Sequence, residues 1–161
     1  MKFERFEDVP VWKDGIELTV KAFALTEDKR FRFKGDIANQ LQRAALSIAN
    51  NIAEGFERGT TQELITFLYY SRGSAGEVRS ILCVIEKMPV FDDLKSKISD
   101  LKLLAESISR QIRGWTASLQ NTKIEGQRYL TDKSKKISEQ EKQRKEFHET
   151  LKKYLPKNQQ V

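Results

Sequence analysis

The sequence predicts an all-α protein: an antiparallel up-down-up-down four-helix bundle over residues 1–120, with a charged C-terminal helical extension over 121–161. Three observations predict it. Four segments carry apolar residues at helical spacing, and no segment sustains the alternation of a strand. The links between the four are short, which makes neighbouring helices antiparallel.

The first helix is expected from about Val9 to Thr26, with Pro10 suited to a first-turn position after Asp8. Its apolar residues Trp12, Ile16, Val20 and Phe23 step by four, four and three, and read as its packed stripe. The second helix, about Asp36 to Phe56, sets Leu41, Ala45, Ile48 and Ile52 on one stripe, and Gly55 and Gly59 punctuate its end. Thr60 followed by Glu63 is a capping box that opens the third helix. That helix carries Leu64, Phe67, Leu68, Ala75, Val78, Leu82 and Ile85, and Pro89 stops it just beyond Met88. The fourth starts after Asp92 and has the clearest pattern: Leu94, Ile98, Leu101, Ala105, Ile108, Ile112, Trp115 and Leu119 alternate steps of four and three. Asn121 to Arg128 has loop character, and Thr131 and Pro156 bracket an expected helix over 132–155. Phe147, Leu151 and Tyr154 give that helix a narrow stripe.

Charged residues make up 32% of the chain and apolar ones 39%, too apolar for full disorder and too charged for a membrane protein. No apolar run approaches the roughly 20 residues that span a bilayer. The opening Met1-Lys2-Phe3-Glu4-Arg5 leads into acids, unlike a signal peptide. Cys83 is the single cysteine, which excludes an intramolecular disulfide and a multi-cysteine zinc site. The expected class is a soluble cytoplasmic protein.

Most enzyme chemistry is excluded as well. The single histidine, His148, lies in the charged tail, and Lys145 stands where a Glu-x-x-His pair would need its glutamate. No Gly-rich phosphate loop, nucleophile elbow or His-Glu-x-x-His is present. The expectation is a non-catalytic protein without metal or cofactor.

Residues 1–120 hold 18 Lys/Arg against 17 Asp/Glu, a net of +1, whereas residues 121–161 hold 11 against 6, a net of +5. A basic excess favours polyanions through counterion release; the alternative is a solvated face that confers solubility. The candidate phosphate contacts are Lys29, Arg30, Arg32 and Lys34, in a run interleaved with Phe31 and Phe33 as in single-strand stacking platforms. In the bland reading those phenylalanines staple the second helix. The tail adds Lys133, Lys135, Lys136, Lys142 and Lys145.

Two features exceed simple core packing. On the second helix Arg43, Ser47, Asn51 and Glu54 line one side beside Ala44, Ala45, Ala49 and Ala53. On the third, Arg72-Gly73-Ser74-Ala75-Gly76-Glu77 places two glycines mid-helix, each costing about 1 kcal/mol relative to alanine, so a close helix crossing is expected there. Two readings stay open: a polar network that fixes register between helices or subunits, or a partner or nucleic-acid surface built on Arg43, Arg58 and Arg72.

At these residues the chain resembles a known family. The stretch Gln40-Leu41-Gln42-Arg43-Ala44-Ala45-Leu46-Ser47-Ile48-Ala49-Asn50-Asn51-Ile52-Ala53-Glu54-Gly55-Phe56-Glu57-Arg58 is similar to the signature of bacterial four-helix-bundle proteins encoded in intervening sequences of 23S ribosomal RNA genes. Phe67 through Glu77 resembles its second motif and Val11-Trp12-Lys13 its first helix. The resemblance covers about residues 5–120. Ala49 stands where the family often has proline, and the tail extends past the usual end. The resemblance implies a ring, a homopentamer, with relatives that include the accessory variability protein of diversity-generating retroelements, which binds nucleic acid and a reverse transcriptase.

The leading expectation is therefore a ring-forming RNA- or DNA-binding accessory protein. The alternative is a protein-interaction scaffold with no nucleic-acid role. Oligomerisation is also expected from packing, because the fourth helix's stripe and the second's alanine face offer more surface than one small bundle buries.

Overall fold

The computed structural model describes residues 3–121, together with Gln140, Gln143, Arg144, Glu146 and Phe147. The chain divides into two units, residues 1–126 and 127–161. In the first unit four helices follow one another: α1 (Pro10–Thr26), α2 (Ile37–Glu57), α3 (Thr61–Glu86) and α4 (Lys95–Gln120). Short 3-10 turns at Lys29–Phe33 and Pro89–Leu94 fill two of the links. Of the second unit's expected helix over 132–155, the five described residues are helical and exposed; Leu151 and Tyr154 lie outside the described residues.

Local chemistry sets the ends. Pro10 occupies the first turn of α1, where its absent N–H leaves no bond unmade. The Thr60 hydroxyl accepts from the Glu63 backbone N–H at 3.2 Å, which caps α3, and donates to the Glu63 carboxylate at 2.6 Å, so the pair meets side chain to side chain. Gly59, at φ +82°, turns the chain out of α2 in a conformation that disfavours a side chain. The start of α4 differs from expectation by two residues: Pro89 and Asp92 sit in a 3-10 segment, and the α-helix begins at Lys95.

The helices form an antiparallel square in which each packs on its chain neighbours and α1 closes against α4. Cross-links mark the direction. Gln42 donates to Thr26 at 2.7 Å between α2 and α1, Lys102 reaches Glu86 at 2.8 Å between α4 and α3, and Gln111 donates to Asp14 at 2.6 Å between α4 and α1. The stripes expected on α2 and α4 face the core, with Leu94, Trp115 and Leu119 half-buried at the ends of the α4 stripe. That stripe is thus consumed inside the bundle, and so are Ala44, Ala45 and Ala49 of α2; neither supplies a surplus surface for assembly.

Two expectations are corrected. The core face of α1 is Val11, Gly15, Leu18, Ala22 and Leu25, whereas Ile16, Val20 and Phe23 point to solvent. The larger residues misled, because α2 comes too close for them: a Cβ on Gly15 would lie 3.3 Å from Ile48 Cγ2 and 3.5 Å from Ala49 Cβ. Second, Gly73 and Gly76 make no close crossing within the bundle, since a Cβ added at either meets nothing within 4 Å. The tight crossing is at Gly55, where a Cβ would fall 2.6 Å from Phe67 Cβ.

Candidate functional site

The α2–α3 face carries the polar residues that the sequence singles out, and it is built from the tight crossing outward. With Gly55 against Phe67 and Leu64 the two backbones run close, and polar side chains bridge them. The Ser71 hydroxyl, fully buried, donates to the Ile48 carbonyl at 2.9 Å. Asn51 donates to the Ser47 carbonyl and hydroxyl at 2.7 and 2.9 Å, and Ser74 donates to the Ser47 hydroxyl at 3.0 Å. Ser71 escaped the sequence reading; its place between Leu68 and Ala75 on the buried stripe was the available signal.

Arg43, Ser47, Asn51, Glu54 and Glu77 come together along one open groove, joined by Asp36, Gln40 and Asn50. Asp36 and Glu77 stand there beside Arg43, and Glu54 is shared with Arg58. Arg72 does not line it. Arg58 is also spoken for. It pairs with Glu54 at 2.7 Å, lies 3.9 Å from Glu63 and stacks over the Phe67 ring, and the Glu54 bond holds its pKa above the ordinary range. This arginine braces the α2–α3 turn.

The link after α1 separates into two kinds of cation. Arg30 is clamped: it bonds Asp28 at 2.6 Å, Asp93 at 2.6 Å and the Val90 carbonyl at 2.7 Å, and it sits over the Phe91 ring. Its hydrogen bonds, first among the causes, hold the Asp28 carboxyl down to about 2 and lower that of Asp93. A guanidinium so engaged ties the link to the Pro89–Leu94 turn and is withdrawn from phosphate. Phe31 is buried against Phe91, ring centroids 4.6 Å apart, so it staples the core and offers no stacking face to a base. Lys29, Arg32 and Lys34 are exposed, and none has a carboxylate within ion-pair distance among the described residues. Lys133, Lys135, Lys136, Lys142 and Lys145 lie outside the described residues.

No group of three or more His, Cys, Asp or Glu among the described residues is placed to hold a metal ion, and no helix there is long and apolar enough to cross a membrane.

Both the link and the groove fall within residues 7–114, over which the chain matches the 23S rRNA-intervening sequence protein family. The chain belongs to that family. The crystal structure of a protein of unknown function from the S23 ribosomal protein family of Bacteroides thetaiotaomicron VPI-5482 is similar, with a TM-score of 0.59 and 16% identity. The match covers 66% of this chain and 97% of that one, a likeness of fold. No curated protein matches in sequence. The match to the 23S rRNA-intervening sequence family ends before residue 121, so the segment with most of the basic excess lies outside it.

Proposed function

We propose that this chain is a non-catalytic accessory protein that holds RNA or DNA by its phosphates and works as a homo-oligomer. The observation that carries the reading is the set of uncommitted cations. Lys29, Arg32 and Lys34 lie within six residues at one end of the bundle, without an ion pair among the described residues, while Arg30 anchors the segment that presents them. The 121–161 segment adds a net +5. Without groups that read base edges, binding is electrostatic and indifferent to sequence. The family's description connects it with 23S rRNA, which makes RNA the first probe. A closed ring, of five copies as the resemblance implies, would repeat the patch so that weak contacts add through multivalency.

A second reading has its own observation. The α2–α3 groove, where Asp36 and Glu77 stand with Arg43 among Gln40, Asn50 and Asn51, offers mixed charges and amides that suit a protein partner, a reverse transcriptase being the one the resemblance implies. Replacing Lys29, Arg32 and Lys34 together by alanine separates the readings. Loss of RNA affinity with a flatter salt dependence supports phosphate contact, and unchanged affinity moves the function to the groove.

A further inference from the structure

Helix α1 carries two apolar stripes, and the bundle uses one. Val11, Gly15, Leu18, Ala22 and Leu25 are buried, while on the opposite side Ile16 is 36%, Val20 63% and Phe23 41% exposed. A helix apolar on two faces is normally covered on both. Charges close this outer stripe at its ends: Lys13 precedes Ile16 by three residues, and Glu27 follows Phe23 by four. Lys13, Val20 and Glu27 are seven residues apart, so each charge sits about 10 Å along the axis from Val20 on nearly the same line. Lys13 and Glu27 are exposed and make no ion pair among the described residues, whereas Glu17 and Lys21 on the flank pair with each other at 2.6 Å.

We propose that this face is a self-complementary docking surface for α1 of a second copy of the chain, run antiparallel about Val20. The order lysine, three apolar residues, glutamate names the occupant. Antiparallel pairing about Val20 sets Lys13 of each copy opposite Glu27 of the other, and Phe23 of each beside Ile16 of the other. Parallel pairing would place lysine on lysine and glutamate on glutamate. The contact is isologous, so it saturates at two chains and leaves α2, α3 and α4 for any ring. It rests on the self-association in the proposed function and not on the nucleic acid, which is absent from its test, so the two can fail separately.

The test is sedimentation of the full chain. Lys13→Glu and Glu27→Lys each turn two attractions into two repulsions and weaken association about tenfold or more. The double variant restores it. Mixing the two single variants also restores it, because each chain then meets its complement at both ends. Melting curves that match wild type show that the exposed substitutions leave the fold intact. A wild-type monomer at about 100 µM overturns the proposal. Single variants that associate like wild type, or a mixture as weak as its components, overturn it as well.

Discussion

Replacing Gly55 with alanine should destabilise the bundle, although alanine is the better helix former. In an open helix interior the exchange gains about 1 kcal/mol. Here the new methyl carbon would sit 2.6 Å from Phe67 Cβ and 3.3 Å from Leu64 Cα. Carbon atoms prefer about 3.5–4.0 Å, so α2 and α3 must part by roughly 1 Å. Both obstructing atoms are tied to the α3 backbone, and no rotamer change relieves them. Parting the helices also stretches the Ser71 to Ile48 bond across the same interface. Overpacking of this kind costs about 1–3 kcal/mol, which leaves a net loss near 1 kcal/mol and a Tm lowered by about 3–5 °C. The assay is thermal and urea melting beside Gly73→Ala, the same chemical change where a Cβ meets nothing within 4 Å. Opposite signs are expected. A Gly55→Ala protein that melts at or above wild type would refute the close crossing.

Gly73→Ala and Gly76→Ala should each stabilise by about 0.5–1 kcal/mol, read as a higher urea midpoint, because exposed helix glycines carry backbone entropy without a contact to compensate. Ser71→Ala should cost about 1 kcal/mol in the same assay through loss of a buried hydrogen bond. Asp28, held down to about 2 by Arg30, contributes stability that is fully present above the ordinary aspartate value of about 3.9 and lost as the pH falls through about 2. The urea midpoints of wild type and Arg30→Met should therefore differ at neutral pH and converge on acidification through that window; a constant gap would remove the clamp from the account.

Helix positions and most of their ends were legible because their causes are local. Pro10, the Thr60 cap and the unbroken α4 stripe act within a few residues of themselves. The inner face of α1 was not legible. Two sets of residues step by threes and fours there, and the smaller set faces the core only because Ile48 and Ala49 of α2 crowd Gly15. The glycines misled for the same reason: Gly55 and Gly73 look alike in sequence, and what lies across from each comes from another helix. A cue existed, since the cap at Thr60 fixes the α2–α3 turn and folds Gly55 back onto Leu64 and Phe67. In the link, Asp28 stood two residues from Arg30 and could have warned of the clamp, but Asp93 arrives from 63 residues away. The role of Phe31 likewise depended on Phe91, which no local pattern connects to it.

Phosphate contact is the central claim, and the salt dependence of RNA affinity tests it most directly. Fluorescence anisotropy with labelled single-stranded RNA, run between about 50 and 200 mM salt, gives log Kd against log salt, whose slope counts the phosphates neutralised. The intact chain is compared with one in which Lys29, Arg32, Lys34, Lys133, Lys135, Lys136, Lys142 and Lys145 are replaced by glutamine. The account predicts tight binding at low salt, a steep slope for the intact chain, and a weaker, flatter line for the neutralised one. No binding by the intact chain at low salt, or the same slope from both proteins, would contradict it.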